Sequence, residues 1–141
     1  GMAPGGNANQ PIGLVWGWQS LVGGGPLLAP SQDPNYAYSQ TIILMSDGLN
    51  TQNRWTSTAG NIDKRMLNGT SPNLAGTCAN IKATGVQIFS VQVNTGGDPT
   101  STLLQNCATN TSMFFELKTA NALVTTFDQI GSALANIHIS K

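Results

Sequence analysis

Charged side chains are scarce in this sequence. Six Lys and Arg, six Asp and Glu and one His give a formal net charge of zero, and only 9% of the residues are charged. A surface that binds nucleic acid needs clustered Lys and Arg, whereas here only Lys64 and Arg65 are adjacent basic residues. We therefore expect no nucleic-acid partner, and we interpret this pair as a solvated part of the surface.

Long apolar runs are missing as well. No segment approaches the roughly 18 consecutive apolar residues that a membrane helix needs. Residues 1–9 lack the basic start and the apolar centre of a signal peptide, and Gly1 before Met2 is interpreted as a remnant of tag removal. The sequence predicts an irregular lead-in over residues 1–9 and a single domain over residues 10–141.

Cysteine is limited to two residues, Cys78 and Cys107. An even count permits a disulfide but does not establish one. From these residues alone, one disulfide and two buried thiols are both open.

Short apolar segments are present, and they alternate in type along the chain. Residues 41–46, 86–93 and 113–117 are rich in apolar, β-branched and aromatic side chains, which predicts three strands separated by helices. This order favours an α/β fold with a parallel sheet and right-handed crossovers, in which functional groups collect beyond the carboxyl ends of the strands. Residues 49–73 show little periodicity and are predicted to form a long loop.

Local signals place the helix boundaries. Asn9 is predicted to begin the first helix with Pro11 in its first turn, Gly85 to end the second, and Asp98 with Pro99 to begin the third. The last helix is the clearest amphipathic segment, with apolar residues every three or four positions from 123 to 137. The first helix is expected to bury a broad apolar face, formed by Ile12, Val15, Trp16, Trp18 and Leu21.

Asp47 follows the first predicted strand in the stretch "TIILMSDGLNTQNRW" and has four interpretations. The first is the start of a loop, since no strand follows that would make Asp47 and Gly48 a hairpin turn. The second, a phosphoryl-transfer nucleophile of the haloacid-dehalogenase kind, is excluded because that chemistry needs an aspartate where Met45 stands. The third is a ligand for a hard cation such as Mg²⁺, which prefers oxygen.

General acid/base catalysis is the fourth interpretation, and it needs a second titratable group near Asp47. The sequence places none there, and it contains no nucleophile elbow, phosphate loop or metal-spaced cluster of His and Cys. We therefore predict no catalytic residue and no enzymatic activity. The groups considered are Asp33, Asp63, Asp98, Glu116, Asp128 and His138, the last of which is interpreted as a surface histidine.

Several segments together resemble one family. The stretches "ANQPIGLVWGWQSL", "TIILMSDGLNTQNRW", "NIDKR" and "CANIKATGVQIFSVQVN" are similar to the C-terminal part of the von Willebrand factor A domain of TadG-like proteins, which belong to Flp/Tad pilus assembly. The similarity extends from about residue 6 to residue 141. It implies an α/β, Rossmann-like fold, present as a partial von Willebrand factor A domain with a parallel sheet and helices on both faces.

The resemblance also implies a metal-ion-dependent adhesion site, of which only Asp47 is carried over. The family's threonine position falls on Ala8, which has no side-chain oxygen, and the Asp-x-Ser-x-Ser motif is absent because this chain begins after it. We therefore expect weak or no metal binding, with Mg²⁺ or Mn²⁺ held only where another chain or segment supplies the missing ligands. Trp55 is expected to pin its loop rather than to anchor a ligand. The candidate binding residues are Ser46, Asn50, Thr51, Arg54 and Trp55.

The resemblance implies a Cys78–Cys107 disulfide and a location in the cell envelope, periplasmic or surface-exposed, because TadG-like proteins face the oxidising side of the membrane. Membrane attachment is then expected only through an N-terminal segment missing from this chain. The expected role is non-enzymatic binding and assembly, with an unidentified protein partner and self-association, as in a homodimer, through the strand edge at 41–46 or the helix at 10–21. A truncated gene product without independent function and an Asp47-dependent hydrolase are the alternatives.

Overall fold

A computed structural model describes residues 8–23, 27–47, 49–51, 59–67 and 75–139. Within these ranges, strands alternate with helices along the chain. A short 3-10 turn over Thr111–Met113 precedes the third strand. The elements are α1 Gln10–Val22, β1 Thr41–Ser46, α2 Ala59–Leu67, α3 Thr77–Ala83, β2 Gln87–Val93, α4 Thr102–Cys107, β3 Phe114–Leu117 and α5 Ala122–Ile139.

The three strands form one sheet in the order β1-β2-β3, and both pairings are parallel. Leu44 of β1 lies opposite Ser90 of β2, and Val91 of β2 lies opposite Phe115 of β3. The predicted α/β class with a parallel sheet is therefore confirmed, and the predicted strands agree with the observed ones to within one residue at each end.

Apolar side chains of the sheet enter two cores, one on each face. Because successive side chains of a strand point to opposite faces, Ile88 enters the first core and Phe89 the second. Helices α1 to α4 cover the first core, which contains Leu14, Leu44, Met66, Cys78, Ile81, Val86, Ile88, Leu103, Leu104 and Cys107. Helix α5 covers the second core, which contains Phe89, Val91, Leu117 and Ile130. Helices on both faces were expected, and this is confirmed.

The predicted start of α1 and the predicted end of α3 are confirmed. The Asn9 side chain accepts a hydrogen bond from the backbone N–H of Ile12 at 3.2 Å, and Pro11 stands in the first turn, where its missing N–H costs nothing. Gly85 follows the end of α3 with φ +85, a conformation that favours glycine.

The predicted start of α4 is wrong by three residues. Ser101, rather than Asp98, caps the helix, and its hydroxyl accepts a hydrogen bond from the N–H of Leu104 at 3.2 Å. The backbone N–H of Asp98 is instead bound to the side chain of Asn94 at 2.7 Å, which keeps Asp98 in the preceding turn.

Residues 49–73 were predicted to form a loop, and this is wrong for the part that contains α2. Ile62 and Met66 are four residues apart on one face of this helix and are 1% and 0% exposed. Lys64 and Arg65 occupy its last turn, where cations interact favourably with the helix dipole. The spacing of the two apolar residues and the basic pair are both present in the sequence, so this helix could have been predicted.

The predicted buried face of α1 is also partly wrong. Leu14 is buried, and Trp18 and Leu21 pack against the first core. The physical reason is that α1 is apolar on most sides while the sheet covers only one of them. Three side chains that were predicted to be buried face solvent instead: Ile12, Val15 and Trp16 are 50%, 38% and 50% exposed.

Cys78 of α3 and Cys107 of α4 form a disulfide, with sulfur atoms 2.12 Å apart and Cα atoms 5.2 Å apart. Both residues lie in the first core and are 1% and 0% exposed. The disulfide implied by the resemblance is therefore confirmed.

Among the described residues, no helix is long and apolar enough to cross a membrane.

Opening this disulfide is expected to lower the free energy of unfolding by roughly 3 to 4 kcal/mol, because the bond closes a loop with a sequence separation of 29. Urea unfolding of oxidised protein, reduced protein and the double variant Cys78→Ala/Cys107→Ala measures the change. Reduced protein keeps both sulfur atoms and isolates the contribution of the bond, while the variant also leaves small cavities. Equal stability of the oxidised and reduced protein would contradict the expectation.

Candidate functional site

A cleft of about 190 Å³ lies at the carboxyl ends of β1 and β2. We name it the β1–β2 cleft. This is the edge of the sheet where functional groups were expected. Its lining comprises Asp47, Leu49, Asp63, Gln92 and residues 98–103.

Three carboxylates line the β1–β2 cleft. Asp47 follows β1, Asp63 belongs to α2 and Asp98 lies in the connection between β2 and α4. The expectation that no second acid accompanies Asp47 is therefore wrong, because α2 and the β2–α4 connection bring distant residues to the same cleft. In the part of the chain that the structure describes, no three His, Cys, Asp or Glu side chains are close enough together to hold a metal ion.

Ser46 and Thr51, two of the candidate binding residues, hold the first turn of α1. The hydroxyl of Ser46 accepts a hydrogen bond from the Gln10 side-chain amide at 2.9 Å. The hydroxyl of Thr51 accepts from the N–H of Ala8 at 2.8 Å, and the N–H of Thr51 donates to the Ala8 carbonyl at 2.9 Å. These contacts fix the start of α1 against the end of β1.

Asn50 is the centre of this junction and is 3% exposed. Its side-chain oxygen accepts a hydrogen bond from the N–H of Gln10 at 2.7 Å, and its side-chain nitrogen donates to Asp63 at 2.7 Å. One buried amide therefore joins α1 and α2 to the segment that follows the carboxyl end of β1, which we name the β1 exit. Because water cannot reach Asn50, these bonds have no ready replacement.

The donor set near Asp47 does not fit the metal site that the resemblance implies. Asp47 is exposed, the Ser46 hydroxyl is engaged with Gln10, and Ala8 contributes backbone contacts to Thr51 in place of a side-chain oxygen. A hard divalent cation takes about six oxygen ligands. The described residues therefore provide Asp47 as a single carboxylate at the predicted position rather than a coordination shell.

A second junction of the same kind forms around Asn94, which is 5% exposed. Asn94 directly follows the carboxyl end of β2, and we name this segment the β2 exit. Its side-chain amide donates to the carbonyl of Asp98 at 2.6 Å and to the Glu116 carboxylate at 2.7 Å. The hydroxyl of Thr100 donates to the other oxygen of Glu116 at 2.9 Å. Gly97 completes the turn with φ +80, which favours glycine.

Hydrogen bonds from Asn94 and Thr100, with a smaller contribution from the charge of Lys118, hold the pKa of Glu116 below its usual value. A carboxyl group with a lower pKa in the folded state stabilises the fold above its unfolded pKa. That contribution is lost as the pH falls through the lower pKa of the folded state. The β2 exit is therefore stabilised at neutral pH and weakened in acid.

Gln92 also supports the cleft from within β2. Its side-chain oxygen accepts from the N–H of Ser101 at 2.7 Å, and its nitrogen donates to the carbonyl of Pro99 at 3.1 Å. Glu116 was considered only as an acid/base group, Asn94 was marked only by its place after β2, and Gln92 was not a candidate. The available signal was weak: a polar residue at or just after the end of each strand.

The other candidates are separate from the cleft or outside the described part of the chain. Asp33 accepts a hydrogen bond from the N–H of Asn35 at 2.9 Å in the turn before β1, and Asp128 lies on the exposed side of α5. Arg54 and Trp55, and the side chain of His138, lie outside the described residues. Ser46, Asp47, Asn50 and Thr51 lie together at the end of β1.

Comparisons with known protein families, curated proteins and solved structures find no match.

Substitution of Asn50 is expected to show how strongly this junction holds the fold. Asn50→Ala should lower the free energy of unfolding by roughly 2 to 3 kcal/mol, because it leaves a buried N–H without its acceptor. Asn50→Asp should cost more at pH 7 than at pH 4, because two carboxylates then face each other until one takes up a proton. Urea unfolding at both pH values measures this.

Asn121→Asp is the matched control, since Asn121 is exposed immediately before α5 and water can solvate the new carboxylate there. This control should behave like the parent protein at both pH values. A loss for Asn50→Asp that does not depend on pH would contradict the assigned contact with Asp63.

Proposed function

We propose that this chain is a non-enzymatic binding and assembly domain that associates through the edge of β1. The observation that carries the proposal is an apolar edge strand with one face only partly covered. Among the described residues, β1 pairs with β2 on one side and with no strand on the other. Strand edges of this kind readily pair with another chain.

Helix α5 covers the second core but leaves the β1 side of it exposed. Ile43 and Met45 lie beside Phe89 and Val91 in the sheet register. Phe89 and Val91 are 1% and 0% exposed, whereas Ile43 and Met45 are 39% and 51% exposed. Of these four side chains, the two exposed ones therefore lie on the edge strand, where a partner strand would reach them.

Two copies of β1 fit a symmetric antiparallel pairing. In this pairing a two-fold axis, perpendicular to the sheet, passes between the two Leu44 residues. It places Ile43 of one copy opposite Met45 of the other, so that the exposed apolar side chains meet. Residues 41–46 contain no charge, so identical strands bring no like charges together. This supports a second copy as the first partner of the edge.

The family, the cellular compartment and the role in pilus assembly that the resemblance implies are also part of this proposal. The resemblance to TadG-like domains suggests a partial von Willebrand factor A fold in the cell envelope, with a role in Flp/Tad pilus assembly and a protein partner that is still to be identified. The Cys78–Cys107 disulfide supports an oxidising compartment. Asp47 would be the one remaining ligand position of the family's metal site.

Met45→Lys is expected to weaken self-association, because a charged side chain on an edge strand opposes pairing. Met45 is 51% exposed, so the folded chain should tolerate the lysine. Analytical ultracentrifugation over a concentration series measures the change, which should be roughly tenfold or more.

Gln129→Lys is the control, since Gln129 is exposed on α5 and the substitution introduces the same charge away from β1. It should leave the β1 contact intact. A parent protein that is monomeric at millimolar concentration would overturn the proposed pairing.

The three carboxylates of the β1–β2 cleft favour a second candidate function, an acid/base hydrolase that uses Asp47. Two carboxylates can divide the acid and base roles when their surroundings differ. This candidate predicts turnover of p-nitrophenyl phosphate or acetate that is lost in Asp47→Asn and Asp98→Asn and kept in Asp33→Asn. Rates equal to those in buffer alone, for the parent protein, would exclude it for these two substrates.

A further inference from the structure

A groove lies between α1 and α2, on the face of the sheet opposite α5. Its volume is about 340 Å³, within the range of roughly 300–1,000 Å³ that is usual for ligand sites. We name it the α1–α2 groove. Its main walls are Pro11, Ile12, Val15 and Trp16 of α1 with Ile62 and Arg65 of α2.

The α1 wall of this groove is apolar but reaches solvent. Ile12, Val15 and Trp16 are 50%, 38% and 50% exposed, and their spacing of three and four residues makes them one stripe on the helix. The helix itself contains no charged residue. Exposed apolar stripes of this kind are typical of surfaces that contact another protein.

Arg65 sets the sign of the charge at the groove. Among the described residues that line it, Arg65 is the charged one, and it is exposed. Asp63, the acid on the same helix, is bound to Asn50 and lines the β1–β2 cleft instead. The groove therefore suits an apolar group that is accompanied by a carboxylate.

Helix α5 presents such a combination on its outer side. Val124, Phe127, Asp128 and Gly131 are spaced as one helical stripe, which we name the α5 stripe. Val124 and Phe127 are 69% and 40% exposed, and Asp128 is exposed. A Cβ atom at Gly131 would meet nothing within 4 Å, so this position leaves room for a close approach.

We propose that the α5 stripe of a second copy of this chain occupies the α1–α2 groove. Val124 and Phe127 contact the apolar wall, and the Asp128 carboxylate pairs with the Arg65 guanidinium. Groove and stripe lie on opposite faces of one sheet, so a chain cannot fill its own groove. The contact is therefore head-to-tail and can repeat from copy to copy. It rests on the proposed role in assembly and uses surfaces other than the β1 edge.

Charge reversal in the Met45→Lys background tests this contact without the β1 pairing. Arg65→Glu and Asp128→Arg should each weaken the remaining self-association roughly tenfold or more, because each brings like charges together. An equimolar mixture of the two should associate again, since Asp128 of one variant meets Arg65 of the other. NMR shift changes in an isotope-labelled variant, titrated with the unlabelled one, measure the interaction and locate it.

Two neighbouring substitutions serve as matched controls. Lys64→Glu reverses a charge on α2 beside the groove, and Gln129→Arg adds a charge to α5 away from the stripe; both should associate like the Met45→Lys parent. Shift changes confined to the groove and the stripe in the mixture would support the proposal.

The proposal would be overturned by a mixture that shows no shift changes, or by single variants that associate like the parent. If Met45→Lys alone does not reduce association, the β1 pairing fails, while the mixing experiment still decides this contact.

Discussion

The side-chain amide of Asn50 joins the end of β1 to the first turn of α1 and to α2, and the arrangement of this face depends on it. The bond to Gln10 connects residues separated by 40 positions, and Asn50 is buried, so water offers no substitute. Once α1 is fixed at this end, Leu14 faces the first core and Ile12, Val15 and Trp16 face outward. The Asn50 amide therefore positions both walls of the α1–α2 groove. Its oxygen accepts a hydrogen bond from Gln10 of α1, and its nitrogen donates one to Asp63 of α2.

The β2 exit follows the same rule with Asn94 in place of Asn50. Parallel strands end at one edge of the sheet and leave backbone groups there that need partners. In this chain, Asn, Gln, Ser and Thr side chains supply those partners. The consequence for function is direct: Ser46, Asn50 and Thr51, which were candidates for binding, are engaged in holding α1. A polar residue at a strand exit is therefore ambiguous until its contacts are known.

Much of the fold was predictable from the sequence because it depends on local signals. Strand composition predicted β1, β2 and β3, and Asn9, Pro11 and Gly85 marked helix boundaries through capping and turn chemistry that acts within a few residues. The errors have longer-range causes. Asp98 does not begin α4 because Asn94 takes its N–H, and the exposed stripe of α1 depends on which side meets the sheet. The meeting of Asp47, Asp63 and Asp98 required the tertiary fold.

The scarcity of charge gives the few remaining charges more influence over which surfaces meet. The β1 strand has none, so nothing in its side chains opposes pairing with its own copy, and a two-fold contact of that kind closes on itself. The α1–α2 groove has one cation among its lining residues, and the α5 stripe has one anion, on the opposite face of the sheet. A contact between unlike surfaces does not close unless its rotation forms a ring. A chain with the groove–stripe contact can therefore extend from copy to copy, whereas a chain with the β1 contact alone stops at a dimer.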